Sequence, residues 1–323
     1  QAGRQIMTLL EKGITARKVI TPGAVKNAIR VTMAMAGSTN LFMHIPAVAS
    51  EAGLRGKWWA EFDLASRTVP QIVGASPSGP WHLQDVDRAG GSRAVMKRLL
   101  PLLDSGELTV TGKTIAENYA DATIFDSEVI RPLDHPVSSE GALYVLYGSL
   151  APDGSIIKVG ACDEKMRHFR GPARTFDSLE AAMAGLDAGE VQKGDVAVVR
   201  YLGPKAAFGT TAYVFQKELK GRGLDKDVAI VTDGRFSGGS SGLSIGYISP
   251  EAGLCGPLAL VKNGDMIDIN LDERRLDLLV GEDEMARRKG EWNWQFPGGD
   301  YPPFLRLFSK CAGSLANGAV WEL

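Results

Sequence analysis

The pattern of hydrophobic and polar positions divides the chain into two parts with different periods. In the first part apolar residues recur at the spacing of a helix face, whereas in the second part short apolar runs alternate with turn signals. We therefore predict an α/β protein in which residues 1–130 form a helical or α/β domain and residues 131–323 form a β-barrel domain. The helices predicted in the first part span 5–12, 24–36, 41–52, 57–66 and 93–103.

The second part contains many short strand-like runs. Turn sequences such as Pro152-Asp153-Gly154 and Asn263-Gly264-Asp265 separate these runs. Seven or more short strands with few long helices favour a barrel or another closed β-domain. The predicted strands span 142–147, 155–159, 195–201, 227–231, 258–262, 266–271 and 274–280, and the predicted helices among them span 178–186 and 283–292.

The stretch 232–251 is rich in glycine and serine and follows an apolar run at 228–231. The apolar run has the length and branching of a buried strand. Glycine lets the backbone adopt positive φ, and a loop of this kind can aim N–H groups and hydroxyls at a small anion. Its glycines are Gly234, Gly238, Gly239, Gly242 and Gly246, and its serines include Ser237, Ser240, Ser241 and Ser244.

Two interpretations of this stretch are open, a surface linker and a binding loop for a small polar ligand. The strand-like runs on both sides favour the binding loop, and so do Asp233 and Arg235, which stand beside the hydroxyls. We predict that Asp233 and Arg235 form a structural ion pair that fixes the loop.

A second polar turn, Gly37-Ser38-Thr39-Asn40, lies between two predicted helices. Ser, Thr and Asn at a helix start commonly serve as N-caps. The free N–H groups of a helix start can instead hold a carboxylate. The residues alone leave both interpretations open.

Composition limits the classes of partner. The chain has 323 residues, 44% hydrophobic and 23% charged, with a net charge of −2, which argues against nucleic acid and anionic membranes as partners. No apolar run approaches the roughly 20 residues of a membrane span. The three cysteines, Cys162, Cys255 and Cys311, are far apart, which is typical of a reducing compartment. We expect a cytoplasmic protein, or a mitochondrial one if a targeting segment lies upstream.

The motif Arg235-Phe236-Ser237-Gly238-Gly239 closely resembles the C-terminal signature of the dihydroxy-acid dehydratase and sugar-acid dehydratase family. The Gly-Ser-Thr-Asn turn, followed by His44, is also similar to a family motif, although Ala36 stands where the family commonly has another glycine. The family dehydrates 2,3-dihydroxy carboxylic acids with an iron–sulfur cluster and usually a magnesium ion. The resemblance implies a C-terminal barrel of the swivelling, aconitase-like type.

The resemblance also implies roles for particular residues. Ser237 would be the catalytic base, acting as an alkoxide, with N–H donors from Gly238 and Gly239. Ser240 and Ser241 are candidate donors to the substrate carboxylate. The turn Ser38, Thr39 and Asn40 would bind the same substrate.

The sequence departs from the family in its cofactor ligands. The family's three cluster cysteines, its metal-binding aspartate and its modified lysine lie upstream of the segment that matches residues 3–7. The three cysteines of this chain do not match ligand positions. The family's magnesium-binding glutamate falls at Ala212, and neither that alanine nor Thr211 can replace a carboxylate on a hard cation. The resemblance thus implies that the chain matches the C-terminal half to two-thirds of a member, with most cofactor ligands outside it.

Three hypotheses follow. The first is a dehydratase of 2,3-dihydroxy or aldonic acids that yields a 2-keto-3-deoxy acid and needs an N-terminal half or partner subunit. The second is a non-catalytic relative that acts as a binding or regulatory subunit. The third is a stand-alone β-domain that binds a sugar acid. The expected partners are a small hydroxy acid and either an N-terminal half or further copies of the chain in a homo-oligomer.

Overall fold

The computed structural model describes residues 2–296 and 301–322. The chain forms two compact units. The first consists of Gln1–Gly37 and Ile45–Ala142, and the second consists of Ser38–His44 and Leu143–Leu323. The predicted division of the chain after residue 130 stays a prediction.

The first unit is mainly helical. Thr21 begins its longest helix: the Thr21 hydroxyl accepts a hydrogen bond from Ala24 N over 3.0 Å, and Pro22 occupies the first helical position. The helices in this part of the chain are α1 Ala2–Glu11, α2 Ala16–Val19, α3 Pro22–Ala34, α4 Leu41–Glu51, α5 Trp58–Thr68, α6 Leu83–Arg88, α7 Gly91–Leu99 and α8 Ile115–Tyr119. The first residues of α4 belong to the second unit.

Helices α3 and α5 pack against each other. Helix α3 contributes Ile29 and Met33, which are fully buried. Helix α5 contributes Trp58, Trp59 and Phe62, which are also buried. The aromatic residues of α5 therefore form part of the core of this unit.

The second unit contains the sheet. Its strands are β1 Tyr144–Leu146, β2 Gly154–Ile157, β3 His168–Phe176, β4 Val196–Val199, β5 Ala229–Thr232, β6 Ser244–Ser249, β7 Met266–Asn270 and β8 Arg275–Leu278. Its helices are α9 Leu179–Asp187, α10 Pro204–Ala207, α11 Tyr213–Gly221, α12 Glu282–Glu291 and α13 Pro303–Cys311.

The strands form one sheet in the order β1-β2-β6-β5-β4-β3-β7-β8. Strands β3, β4, β5 and β6 run parallel, and the other pairs are antiparallel. The two edges meet just after β1, where Tyr147 N donates to Arg274 O over 3.0 Å and Leu276 N donates to Tyr147 O over 2.8 Å. The sheet is therefore a nearly closed barrel, which confirms the predicted α/β class and barrel shape.

Apolar side chains cover both faces of the central strands. Residues of β4 and β5 are buried throughout, as expected for strands covered on both sides. Val198 and Val231 point into the barrel core, whereas Val199 and Ile230 pack with α9 and α11 on the outer face. Because both faces of these strands are covered, polar loops lie at the ends of the strands.

Two parts of the strand prediction need correction. Residues 258–262 are not a strand, because Pro257 begins a 3-10 turn at Pro257–Leu260 and its apolar residues are simply buried. The prediction also omitted β3 and β6. Strand β3 carries Gly171 and Pro172 in its interior, at the point where its pairing changes from β7 to β4.

Among the described residues, no helix combines the length and apolar character needed to cross a membrane.

Candidate active site

The loop 233–243, called the Ser237 loop below, connects the parallel strands β5 and β6. Connections between parallel strands usually contain a helix, so this polar loop is unusual. Ser237 is half-buried, and its Oγ accepts a hydrogen bond from Gly239 N over 3.3 Å. Ser240 N closes the turn onto Ser237 O over 3.0 Å. The hydroxyl therefore has a backbone donor and retains access to a ligand.

Asp233 anchors the start of the loop. It is fully buried, and its carboxylate accepts from Leu202 N and from Ala252 N, each over 2.9 Å. Burial raises the pKa of Asp233 to about 6, although the backbone hydrogen bonds oppose that rise. One carboxylate thus ties together the segments that follow β4, β5 and β6.

Arg235 anchors a different segment. Its side-chain Nε donates to Gly209 O over 2.5 Å, and its backbone pairs with Thr210 and Ala212 over 3.0 and 2.8 Å. The predicted ion pair between Asp233 and Arg235 is therefore wrong. Each residue fixes the loop, but through backbone groups of other segments.

Ser240 carries an unsatisfied polar group. The residue is 5% exposed, and its hydroxyl has no hydrogen-bond partner among the described residues. Leaving a buried hydroxyl unpaired costs about 1–3 kcal/mol. A ligand oxygen would satisfy it, which favours the binding loop over the surface linker. Ser241 differs, because its hydroxyl accepts from Gln216 and Lys220.

The turn Ser38–Asn40 contacts the Ser237 loop within the second unit. Thr39 Oγ1 donates to Phe236 O over 3.3 Å, and a Cβ placed on Gly238 would lie 3.4 Å from Ser38 Oγ. Tyr247 OH donates to Asn40 Oδ1 over 2.7 Å. The two polar stretches singled out in the sequence therefore lie side by side.

Most side chains of this turn already have partners. Ser38 Oγ accepts from Asn40 N and Nδ2, both over 3.2 Å, as an N-terminal cap does. The backbone N–H groups of Ser38 and Thr39 donate to no described residue. The N-cap and carboxylate-binding interpretations are thus compatible, because the cap leaves these N–H groups free. His44 is exposed.

Lys158 approaches the loop from the other side. It follows β2 directly, is 8% exposed, and donates from Nζ to Gly238 O over 2.9 Å. Burial lowers the pKa of Lys158 to about 8. Lys158 is not among the site residues predicted from the sequence, although a lysine at the end of an apolar strand run was a usable signal.

Glu251 holds the segment that follows β4. It is 2% exposed, and its two carboxylate oxygens accept from Lys205 N over 3.2 and 3.0 Å. A side chain on Gly203 would collide with this carboxylate, so the position requires glycine. Burial, together with the charge of Asp233, raises the pKa of Glu251 to about 8. Glu251 was also overlooked in the sequence.

The magnesium ion implied by the resemblance finds no ligand set in this part of the molecule. Ala212 is fully buried beside Phe215 and Phe236 and offers no oxygen ligand from its side chain. Among the described residues, no group of three or more His, Cys, Asp or Glu side chains is arranged to hold a metal ion.

The cysteines do not fit an iron–sulfur cluster. Burial raises the pKa of Cys162 to about 12, so this residue is a neutral thiol, whereas a cluster needs thiolates. Burial also raises the pKa of Cys255. The described residues therefore provide a ligand set for neither cofactor.

The second unit thus carries a glycine- and serine-rich loop at the ends of the strands of a barrel-shaped sheet. The chain belongs to the dihydroxy-acid/6-phosphogluconate dehydratase family. The family's C-terminal model matches residues 128–319, and its N-terminal model matches residues 1–118.

Relatives named dihydroxy-acid dehydratase cover the whole chain. The relative from Moorella thermoacetica is 44% identical over an alignment of 330 positions. This alignment covers 100% of this chain and 58% of that protein. The relative from Methanothrix thermoacetophila is 46% identical and covers 99% of this chain and 59% of its own length. The one from Pyrococcus abyssi is 43% identical, with shares of 100% and 58%. The chain thus spans less than two thirds of the length of these curated relatives.

Proposed function

We propose that the chain supplies the base and part of the carboxylate site of a dehydratase that converts a 2,3-dihydroxy carboxylic acid into a 2-keto-3-deoxy acid. The observation that carries this proposal is the accessible hydroxyl of Ser237, which lies on the loop beside the Ser38 turn and receives the Gly239 N–H. The names of the relatives support the substrate class.

In this reaction Ser237 removes the proton at C2. The C3–oxygen bond breaks, and the departing hydroxide takes up the proton that Ser237 had removed and leaves as water. The resulting enol becomes the 2-keto acid when its C2 hydroxyl proton moves to C3. A serine hydroxyl is a weak base, because its alkoxide is unstable in water near neutral pH. The Gly239 N–H stabilises negative charge on Ser237 Oγ, and partial burial reduces competition from water.

The substrate carboxylate would bind between the loop and the turn. Donors on the turn are the Ser38 hydroxyl and the free N–H groups of Ser38 and Thr39, at the start of α4. The donor on the loop is the unpaired hydroxyl of Ser240. Asn40, held by Tyr247, fixes the turn in place. Gly238 keeps the space between turn and loop open.

The experiment is a substrate panel with the full-length protein under anaerobic conditions. A branched 2,3-dihydroxy acid and C5 and C6 aldonates are incubated with it, and 2-keto acid is quantified. We expect turnover of the dihydroxy acid and use the aldonates to measure specificity. Failure to form keto acid from any of them, with cofactors supplied, would contradict the proposal.

A second candidate function is a non-catalytic binding or regulatory subunit. Ala212 favours it, since this buried methyl stands where the resemblance places a metal-binding glutamate. Calorimetry separates the two functions. Tight binding of a hydroxy acid without turnover, even beside an active N-terminal half, would favour the binding subunit.

We also propose that the barrel is of the swivelling, aconitase-like type and that the protein works in the cytoplasm. The parallel strands β3–β6 with outer helices support the first point. The free cysteines support the second, because thiols persist in a reducing compartment.

A further inference from the structure

Lys158 is a buried cation that has no carboxylate partner among the described residues. Its side chain is 8% exposed, and burial is the only cause that acts on its pKa. Burying an ammonium without a counter-charge is costly, so lysine is rarely retained in such a place for packing alone. The position therefore needs a physical explanation.

Around Lys158, the part of the chain that the structure describes provides no charge that would neutralise it. The Ser237 loop offers hydroxyls and backbone groups from residue 234 to 243, apart from Arg235, which bonds Gly209. In the turn after Lys158, Cys162 is a neutral thiol, and the carboxylate of Asp163 pairs with Lys226. The positive charge of Lys158 is thus available to the loop.

The contact geometry joins Lys158 to the turn that carries Ser237. Nζ donates to Gly238 O over 2.9 Å, and Gly242 N donates to Ala161 O over 3.0 Å. The segment after β2 therefore holds the loop at two points. A lysine has three N–H donors, and only one has a partner among the described residues.

We propose that Lys158 is a positioning residue for Ser237, an inference that rests on the proposed role of Ser237 as the base. Its ammonium fixes the Gly238 carbonyl, which orients the next N–H toward Ser237 Oγ. Its charge also stabilises the negative charge that develops on this hydroxyl. A neutral tether would do only the first of these.

The experiment compares Lys158→Met, which keeps the aliphatic stem, with Lys158→Arg, which keeps a cation and a donor. Lys220→Met is the matched control, because Lys220 is an exposed lysine that contacts the same loop through Ser241 over 3.2 Å. Each full-length variant is tested for thermal unfolding, for hydrogen exchange in the loop peptide, and for kcat and KM of dehydration.

For Lys158→Met we expect kcat to fall about a hundredfold while KM changes little, and exchange to rise in the loop peptide. Lys158→Arg should recover a large part of kcat, and Lys220→Met should match wild type. If Lys158→Met does not fold, Lys158→Arg is compared with wild type in kcat and in hydrogen exchange of the loop peptide. A loss of kcat without any change in hydrogen exchange of the loop would then overturn the inference.

The inference would likewise be overturned if the kcat of Lys158→Met lay within twofold of wild type. It would also be overturned if the activity of this variant fell only in proportion to the fraction of protein that is unfolded. Ser237→Ala keeps this result separate from the proposed function. An inactive Ser237→Ala beside a fully active Lys158→Met refutes only the inference. An active Ser237→Ala refutes the proposed base, whatever Lys158→Met does.

Discussion

The phenol of Tyr247 donates a hydrogen bond to Asn40 Oδ1 over 2.7 Å, between residues 207 positions apart in the sequence. Tyr247 is fully buried in β6, whereas Asn40 lies in the polar turn before α4. This bond holds the turn beside the strand that ends the Ser237 loop. Two stretches that stand far apart in the sequence thus lie side by side in the folded chain.

Tyr247→Phe should loosen the turn without emptying the core. We expect the free energy of unfolding to fall by about 1 kcal/mol, because Asn40 Oδ1 loses the donor that Tyr247 provides while the ring remains. Hydrogen exchange should rise in the peptide that contains Asn40. Tyr119→Phe is the control, since the Tyr119 ring packs near Arg93 and its hydroxyl has no described partner. Equal exchange in both variants would contradict the account.

Glu251 should make stability depend on pH in the direction opposite to that of a salt-bridged carboxylate. Its pKa is raised to about 8 in the folded protein from an ordinary value of 4.5. Between these values the folded state binds more protons than the unfolded state, so stability falls as pH rises. A one-unit difference in pKa corresponds to about 1.4 kcal/mol, so the effect is measurable.

Glu251→Gln should therefore lose this dependence. We expect the variant to gain stability relative to wild type between about pH 6.5 and about pH 8.5, in urea unfolding at each pH. That range lies above the pKa of about 6 of the neighbouring Asp233. The control is Glu218→Gln, an exposed residue on α11, which should follow wild type. Parallel curves for Glu251→Gln and wild type would show that Glu251 is not protonated.

Ala36 occupies a backbone conformation that suits glycine. Its φ is +50°, and a left-handed conformation costs a residue with a Cβ about 1 kcal/mol. Ala36→Gly should stabilise the protein by about 0.5 kcal/mol, after the greater entropy of the unfolded glycine is subtracted. Ala28→Gly, at an exposed position inside α3, should destabilise it by about 1 kcal/mol. A loss of stability in both variants, measured by thermal unfolding, would contradict this expectation.

Much of the fold follows from local pattern. Helices such as α3 and α5 have clear apolar faces, and the short runs after residue 142 predict a barrel. Strand β3 escapes such prediction, because Gly171 and Pro172 interrupt it and only its change of partner explains them. Local patterns carry no information about pairing partners.

The candidate site was predicted less completely. Ser237 and the Ser38 turn stand out by composition, but their anchors do not. Asp233 accepts hydrogen bonds from the backbone of Leu202 and Ala252 and does not pair with the nearby Arg235. The ends of adjacent strands bring these distant segments to Asp233, and the sequence around it does not show this. In the sequence Lys158 is simply part of a predicted strand. The structure shows that it is buried and that no described residue provides a counter-charge.

Replacement of the Ser237 hydroxyl tests the account most directly. The rate of 2-keto acid formation from a 2,3-dihydroxy acid is measured for full-length wild type, Ser237→Ala, and Ser139→Ala, an exposed serine far along the chain. With the fold intact, we expect Ser237→Ala to lose about 10³-fold or more in kcat, as befits a lost general base, and Ser139→Ala to match wild type. A Ser237→Ala rate within tenfold of wild type would contradict the central claim.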